Sequence, residues 1–379
     1  MLLPPLGLYI HLPWCERKCP YCDFNSHETS IVPEQRYIDV LLQDLHEDLP
    51  LLQGRTVDTL FIGGGTPSLF SASGVEKLLQ GIKNVVPLSA TLESTMEANP
   101  GSADAEKFRS FREAGVNRLS IGIQSFDNAL LQSLGRVHNS DQAHAAIEYA
   151  RDAGFPSINL DLMHGLPEQT LETAEKDLQC AIAFEPGHLS WYQLTIEPNT
   201  VFHTRPPTLP VEDLLADIQQ HGEQLLAASG YAQYEVSAYS RGGFNCQHNR
   251  NYWSFGDYLG IGAGAHSKIS FANGHIERYA KRRQPEEYMS PRAGGFVAST
   301  RTLELSEVVG EFMMNALRLN DGFTLQQFGA RTGLSCEQLE PQLESLCRRE
   351  LLQRDGDAIC ATGIGRRFLD SVVSEFLPD

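Results

Sequence analysis

The sequence predicts an α/β fold, a partial TIM-type (β/α)6 barrel followed by a small, mainly helical winged-helix-like C-terminal domain. Three observations indicate this fold. Short β-type runs alternate with helix-length segments through the first half of the chain, and polar residues or glycines collect where those runs end. Beyond about residue 210 the alternation stops, and the final part of the chain has mostly helical periodicity.

The alternating elements of the first half have lengths typical of strands and crossover helices. The predicted strands are 7–12, 59–64, 94–99, 118–123, 157–165 and 188–194, and the helices lie near 34–52, 73–85, 103–114, 128–135, 140–153 and 171–184. Regular alternation of this kind favours parallel strands, and parallel strands joined by helices can close into a barrel.

The second half is organised differently. A helix near 212–230 precedes an aromatic, glycine-rich stretch at 244–267, and a charged segment with Pro and Gly at 284–296 is typical of a linker. Three helical segments and a small β-like stretch follow. We therefore predict a barrel at 1–240, an extension with a linker at 241–295, and a C-terminal domain at 296–379.

Composition limits the function. A formal net charge of −18 opposes general nucleic-acid binding, and the short basic clusters at 281–283 and 365–367 are typical of solvated surface. No apolar run reaches the roughly 20 residues of a membrane-spanning helix. We expect a cytoplasmic protein, in which the eight cysteines are mostly thiols.

Three cysteines form a tight cluster after the first predicted strand. Cys15, Cys19 and Cys22 have C-x3-C-x2-C spacing. Three thiolates can hold an iron–sulfur cluster and leave one iron open to another ligand. The alternative is a zinc site, in which His27 is the fourth ligand.

The ends of the other strands favour the cluster. Asp161 shares a strand face with Asn159, and an inward-facing Asp is costly unless it is paired or binds something. Bare glycine backbone, an arginine and carboxylates around one barrel mouth suit a zwitterionic nucleotide, whereas a zinc knuckle needs none of them. The strand-end residues are Gly64, Gly65, Thr66, Glu97, Gln124 and Asp161.

The motifs together resemble the radical S-adenosyl-L-methionine (radical SAM) superfamily, and within it the branch that holds the oxygen-independent coproporphyrinogen III dehydrogenases and the heme chaperones. The resemblance extends over nearly the whole chain, in "CERKCPYCDFNSH", "FIGGGTPS", "MEANPG", "GVNRLSIGIQSF", "LGRVH", "NLDLMHGLPEQT", "CQHNRNYW" and "GIGAGAHS".

The resemblance implies roles for the strand-end residues. The three cysteines hold a [4Fe–4S] cluster, and the amino and carboxylate groups of SAM complete its open iron. Tyr9, Gly64, Gly65 and Thr66 line the methionyl and sulfonium end of SAM, Glu97 and Arg136 lie near its charged groups, and Gln124 and Asp161 reach toward the ribose.

Two features select between activities within this branch. The dehydrogenases carry a further cysteine where this chain has Phe24, which argues against coproporphyrinogen oxidation. The "HNRNYW" stretch fits the signature of the heme-binding group, so we expect His248 to contact heme. The alternative is that His248 and Asn249 satisfy buried backbone groups while the aromatic residues pack in the core. A thioether from Cys246 is disfavoured, because the chain has no C-x2-C-H pattern.

The resulting hypothesis is a heme chaperone with a [4Fe–4S] cluster, SAM and heme as bound groups. Its partners are heme-accepting apoproteins, respiratory proteins among them, and peripheral membrane contact and a homodimer are left open. The main alternative is an oxygen-independent coproporphyrinogen III dehydrogenase or another radical SAM enzyme of porphyrin biosynthesis. A third hypothesis makes the C-terminal domain a partner-binding or site-covering module.

Overall fold

The computed structural model describes residues 2–291 and 294–378. Within these ranges the strands are β1 (Leu6–Leu12), β2 (Trp14–Cys15), β3 (His27–Glu28), β4 (Val57–Gly64), β5 (Leu88–Ala98), β6 (Arg118–Gln124), β7 (Ser157–His164), β8 (His188–Gln193), β9 (Ala232–Glu235), β10 (Ala238–Ser240), β11 (Asp257–Ile261), β12 (His266–Ser270), β13 (Ile276–Lys281), β14 (Val297–Thr302), β15 (Phe323–Thr324), β16 (Leu352–Asp355) and β17 (Ala358–Ala361).

The α-helices of the same ranges are α1 (Glu34–Asp48), α2 (Ala72–Val85), α3 (Ala105–Ala114), α4 (Asn128–Ser133), α5 (Ser140–Asp152), α6 (Leu171–Ala183), α7 (Val201–Thr204), α8 (Glu212–Ala228), α9 (Gln247–Trp253), α10 (Pro285–Tyr288), α11 (Leu305–Ala316), α12 (Leu325–Thr332), α13 (Glu340–Arg348), α14 (Gly363–Arg367) and α15 (Leu369–Ser374). Short 3-10 helices lie at Leu49–Leu52, Pro67–Leu69, Pro100–Ser102 and Cys336–Gln338.

One large sheet organises the molecule. In the described ranges it has twelve strands in the order β14-β13-β12-β11-β1-β4-β5-β6-β7-β8-β10-β9. The strands from β11 through β1 and β4 to β8 are all parallel, whereas β12 to β14 and β9 to β10 add antiparallel hairpins at the two edges. The six predicted strands correspond to β1 and β4 to β8, so the carboxyl ends of these strands meet at one mouth.

The barrel helices begin close to the predicted residues, where capping side chains define their N-termini. Ser71 accepts a hydrogen bond from Gly74 N at the start of α2, and Asp104 accepts one from Lys107 N at the start of α3. Asn139 and Thr170 form capping boxes at the starts of α5 and α6. These caps satisfy N–H groups that a helix leaves unpaired at its N-terminus, so the strand-to-helix turns are defined locally.

The C-terminal part has a hydrophobic core of its own. Helices α11 to α15 pack around a small sheet in the order β15-β17-β16, and this core also includes Phe255 and Ile276 from the preceding segment. The segment interpreted as a linker includes α10, whose Tyr288 is buried in the main core, while Arg292 and Ala293 lie outside the described residues. The predicted domain boundaries remain predictions.

The predicted fold class, an α/β barrel with a mainly helical C-terminal domain, is confirmed. Among residues 2–291 and 294–378, no helix is both long enough and apolar enough to cross a membrane.

Candidate functional site

The cysteine loop is closed at its base by two short strands. Strand β2 pairs in parallel with β3, so that Trp14 lies opposite His27 and Cys15 opposite Glu28. The end of β4 is tied to the same base, because Thr66 N donates to Trp14 O at 2.7 Å and Gly65 N donates to Leu12 O at 2.8 Å. These bonds fix the cysteine loop beside the glycine loop.

All three cysteines line one cavity of ≈ 500 Å³ at the barrel mouth, which we call the cysteine cavity. The hydroxyl of Thr66 donates to Cys15 Sγ at 3.5 Å, Arg136 Nη1 donates to Cys19 Sγ at 3.6 Å, and Cys22 Sγ lies 3.7 Å from the hydroxyl of Ser26. Each sulfur therefore has at least one polar neighbour, and Thr66 and Arg136 belong to the site predicted from the sequence.

The zinc alternative lacks its fourth ligand at this cavity. His27 Nε2 hydrogen-bonds Asn25 Oδ1 at 3.3 Å, and His27 is not among the residues that line the cysteine cavity. Within 2–291 and 294–378, no three His, Cys, Asp or Glu side chains converge on a position for a single metal ion.

The glycine loop brings bare backbone to the cavity wall. Gly64 has a φ of 119°, and a Cβ atom there would lie 2.6 Å from His11 Cε1. A Cβ on Gly65 would lie 2.5 Å from Trp14 O, closer than a real side chain approaches backbone. Both positions therefore require glycine, because a side chain would collide with His11 or with the Trp14 carbonyl, and the backbone of Gly64 and Gly65 forms this part of the cavity wall.

Two carboxylates at the mouth are held in buried surroundings. Glu97 accepts a hydrogen bond from Gly64 N at 3.1 Å, and burial together with the charge of Asp161 raises the pKa of Glu97 to about 7. Asp161 accepts from Ser120 Oγ at 2.9 Å and from Asn159 Nδ2 at 2.7 Å, while burial raises its pKa. A ligand that brings positive charge or hydroxyl groups would stabilise the ionised form of both carboxylates.

Arg136 and Gln124 complete the predicted set in the cysteine cavity. Arg136 Nη2 donates to Gly122 O at 2.9 Å, while its buried Nε–H has no partner among the described residues. Gln124 has a φ of 69° and accepts a hydrogen bond from the Tyr192 hydroxyl at 2.9 Å. Tyr9 lies elsewhere, since it lines the neighbouring cavity and bonds His11 Nδ1 at 2.9 Å.

Sequence reasoning missed several residues of the same wall. Arg118, on β6, is buried near Asp161, and its Nε–H has no partner in the part of the chain that the structure describes, while Tyr192 supports Gln124 from β8. Arg318 also lines the cavity, although it follows α11 in the C-terminal part. The alternation of side chains along β6 and β8 could have identified Arg118 and Tyr192, but nothing in the sequence around Arg318 indicates that it reaches this cavity.

The "HNRNYW" stretch forms most of α9, which stands between two cavities. Asn249 lines the cysteine cavity, Tyr252 lines a second cavity, and Trp253 lines both. His248 is buried, with Nδ1 2.8 Å from the Thr59 hydroxyl and Nε2 3.0 Å from the Tyr252 hydroxyl. Glu93 holds the start of α9 by accepting hydrogen bonds from Gln247 N and His248 N.

The second cavity has a volume of ≈ 840 Å³, and we call it the aromatic cavity. Strands β12 and β13 form one wall, which carries basic residues. The two cavities share four lining residues, so they adjoin at the barrel mouth. The aromatic lining residues are Tyr9, Phe24, Tyr252, Trp253, Phe255 and Tyr258, and the shared ones are Phe24, Gly64, Glu97 and Trp253.

The cysteine cavity fits a thiolate-bound cluster with a chelating zwitterion. It combines three thiols with the bare backbone of Gly64 and Gly65, with a carboxylate on Glu97, and with an Arg136 Nε–H that no described residue pairs. Opposite charges and bare backbone within one cavity are what the amino and carboxylate groups of an amino-acid moiety require.

Comparisons with known proteins agree with this chemistry. The Radical SAM superfamily model matches residues 9–181, and the HemN C-terminal domain model matches residues 303–368. The solved structure of coproporphyrinogen III oxidase (HemN) from Escherichia coli, described as a radical SAM enzyme, superposes with a TM-score of 0.83. It covers 99% of this chain and 90% of that chain at 24% sequence identity, a likeness of fold.

Full-length relatives define the family more narrowly. The heme chaperone HemW of Escherichia coli (strain K12) is 50% identical over 100% of this chain and 99% of its own length. The heme chaperone HemW of Bacillus subtilis (strain 168) is 34% identical over 97% of this chain and 98% of its own. The chain belongs to the radical SAM superfamily and, within it, to the HemW family of heme chaperones.

Proposed function

We propose that this chain binds heme in the aromatic cavity, beside a [4Fe–4S] cluster and SAM in the cysteine cavity, and transfers the heme to recipient apoproteins. The observation that carries the proposal is the direct contact of the two cavities through Phe24, Gly64, Glu97 and Trp253. A planar, largely apolar ligand suits the first cavity, and a thiolate-bound cluster suits the second.

The residues that line the cysteine cavity have distinct proposed roles. Cys15, Cys19 and Cys22 hold the cluster, which when bound supplies an open iron to SAM. Arg136 would hold the carboxylate of SAM, and Glu97 would hold its amino group. The backbone of Gly64 and Gly65, with Thr66, would border the methionyl end, and Gln124 and Asp161 would hold the ribose, whereas Tyr9 lines the neighbouring cavity.

His248 contributes to the heme site through α9. Its ring is in contact with Phe61 at a centroid distance of 5.1 Å, and its Nε2 atom bonds the hydroxyl of Tyr252, which lines the aromatic cavity. The proposed role is thus to orient Tyr252 toward heme. A heme titration of His248→Ala with intact cluster tests it, and binding equal to wild type would remove His248 from the site.

Recipient apoproteins, respiratory proteins among them, are the proposed partners, and the proposed compartment is the cytoplasm. The C-terminal part is proposed to cover the site, because Asn315 lines the aromatic cavity and Arg318 lines the cysteine cavity. Cross-linking of the purified protein with and without its cluster tests for homodimerisation.

The central experiment uses purified protein with its cluster reconstituted. Ferric heme should bind with a defined stoichiometry, and the loaded protein should transfer heme to an apoprotein in a spectroscopic assay. Coproporphyrinogen III should be decarboxylated only at trace level. Absence of heme binding, or robust CO2 release from coproporphyrinogen III, would overturn the proposal.

A radical SAM enzyme of porphyrin metabolism is the second candidate. The complete set of polar residues around the cysteine cavity favours this candidate. Heme transfer alone does not explain why Glu97, Gln124 and Asp161 form a site for SAM, whereas a reaction of SAM would. Formation of 5′-deoxyadenosine that depends on a porphyrin substrate discriminates the two. Such turnover would support the enzyme, whereas heme transfer without it supports the chaperone.

A further inference from the structure

We propose that His266, at the start of β12, is the axial ligand of heme iron in the aromatic cavity, and that the guanidinium of Arg283 contacts a heme propionate. This inference rests on the proposed heme-binding function and adds the ligand and the orientation of the macrocycle.

The histidines around the cavities differ in whether a ring nitrogen is free. Two histidines, His11 and His266, line the aromatic cavity, and no histidine is among the residues that line the cysteine cavity. His11 is buried, accepts at Nδ1 from the Tyr9 hydroxyl, and donates from Nε2 to Asn25 O at 2.9 Å. Iron binding by His11 would require one of these two bonds to break at a buried position.

His248 is constrained in the same way. Both of its ring nitrogens are hydrogen-bonded, its side chain is buried, and it lines neither cavity. A Cβ on Gly7 would come within 3.1 Å of the His248 ring, so the barrel packs tightly against it. Direct ligation by His248 would require α9 to rearrange.

His266 has the opposite properties. It is exposed to solvent, lines the cavity, and makes no side-chain hydrogen bond or ion pair with the described residues. Partial desolvation, with the positive charges of Arg278 and Arg283, lowers its pKa and so favours the neutral imidazole that binds iron. The tyrosine hydroxyls along this cavity, in contrast, are bonded to His11, His248 and Arg278.

The position of His266 on β12 directs it into the cavity. Strand β12 is antiparallel to β13, with His266 opposite Ala280 and Lys268 opposite Arg278. Alternate residues of a strand share one face, and all four of these residues line the cavity. The imidazole therefore stands on a rigid two-stranded wall that faces the aromatic rings of α9 and the segment after it.

The basic residues of this wall differ in how far they are neutralised. Lys268 is bonded to Asp257, Lys281 to Asp44 and Asp48, and Arg278 to Glu311.

Arg283 remains available. It is exposed, and within the described residues its side chain makes a single hydrogen bond, which Nε donates to Asn25 Oδ1 at 3.2 Å. Its Nη groups therefore remain available to an anionic carboxylate.

The cysteine loop supports this arrangement. Asn25 Nδ2 donates to Ala263 O at 2.8 Å and to Arg283 O at 2.9 Å, and a Cβ on Gly264 would lie 2.4 Å from Asn25 Nδ2. The loop that carries the cluster cysteines is thus bonded to Arg283 and to Ala263, in the segment just before His266. Phe24, from the same loop, lines the aromatic cavity together with His266 and Arg283.

The test is a ferric-heme titration of the full chain with intact cluster, followed at the Soret band and by resonance Raman or EPR spectroscopy. His266→Ala should weaken binding by at least about tenfold and remove the imidazole-ligation signature. His46→Ala is the matched control, since His46 is also exposed and lines neither cavity. Free imidazole should restore the ligation signature in His266→Gly.

A second comparison tests the propionate contact. Arg283→Met should weaken binding of heme but not of heme dimethyl ester, which lacks the anionic carboxylates. Equal loss for both ligands would overturn the Arg283 assignment.

A His266→Ala variant with wild-type affinity and spectrum would overturn the His266 assignment and leave the proposed function standing. Failure of the wild type itself to bind heme would remove both. Unchanged thermal unfolding of each variant excludes misfolding as the cause of any loss.

Discussion

Phe24 lies where the two cavities meet, with 60% of its surface exposed. An exposed aromatic residue contributes little to folding, so its position beside both cavities suggests contact with a ligand. Its neighbour Asn25 lines the aromatic cavity, and Cys22 lines the cysteine cavity. At the scale of single residues, this loop is where the two bound groups would meet.

Replacing Phe24 by Ala should weaken heme binding about tenfold, because an aromatic contact contributes about 0.5–1.5 kcal/mol beyond its buried area. Cluster content and SAM affinity should not change. Phe368→Ala is the control, since Phe368 is 57% exposed and lines neither cavity. Equal heme affinity in both variants, measured by Soret titration, would exclude Phe24 from the heme site.

Glu97 should make the free energy of unfolding depend on pH. Its pKa is about 7 in the folded chain and 4.5 ordinarily, chiefly because of burial, so the folded state holds the proton more tightly. This contribution to stability is present at pH values below 4.5 and is lost as the pH rises toward and past 7. Wild-type protein without cluster should lose about 2 kcal/mol more than Glu97→Gln between pH 5 and 7.5.

Urea unfolding at the two pH values measures this difference. Parallel changes in wild type and Glu97→Gln would show that the carboxyl of Glu97 is not buried as described. Glu97→Asp, which keeps the charge, serves as the control for the substitution itself.

Helix α11 and the residues just after it couple the C-terminal part to the barrel mouth. The guanidinium of Arg318 lies 4.3 Å from the Trp253 ring centroid, and Arg318 Nη2 lies 3.3 Å from the carboxylate of buried Glu235. One residue of the C-terminal part therefore stacks on α9 and also pairs with β9. At the scale of elements, α9 is held from both sides, by Glu93 of the barrel and by Arg318.

Arg318→Ala should lower the free energy of unfolding by about 2 kcal/mol, because it removes a cation–π contact and removes the positive charge that pairs with the buried carboxylate of Glu235. Arg348→Ala should cost less than about 0.5 kcal/mol, since its pair with Glu344 is exposed. Chemical unfolding compares the two variants. Equal effects would indicate that α9 is held without the C-terminal part.

At the scale of the whole molecule, buried ion pairs join the antiparallel extension to the barrel. Lys281 on β13 lies 2.6 Å from both Asp44 and Asp48 of α1, and Lys268 on β12 pairs with Asp257 at 2.8 Å. Lys281 is 237 residues from Asp44 and 233 from Asp48 in the chain, so those two pairs require the complete fold, whereas Lys268 and Asp257 are 11 residues apart on neighbouring strands. The wall that carries His266 and Arg283 is thereby fixed against the first barrel helix.

Lys281→Met should destabilise the protein by about 3–5 kcal/mol at neutral pH, because two buried carboxylates lose their counter-ion. Burial already raises the pKa of Asp48 to about 6 and raises that of Asp44, against the opposing effect of Lys281. Removing Lys281 raises both pKa values further, so the deficit should shrink as the pH falls and the carboxyls take up protons.

The exposed pair of Lys77 and Asp39 provides the control for that measurement. Lys77→Met should change the free energy of unfolding by less than about 1 kcal/mol at any pH. A Lys281→Met deficit that is independent of pH would contradict the proposed cause.

The sequence by itself determined the alternating barrel, the cysteine loop and the residues at the strand ends, because strand periodicity, helix caps and motif spacing are local properties. It also indicated α9 as a functional segment. Only the tertiary structure decided that α9 divides two cavities, that both ring nitrogens of His248 are already bonded, and that Arg318 reaches the barrel mouth. Those facts depend on contacts between segments far apart in the chain, and neither composition nor periodicity encodes which nitrogen of which histidine remains free.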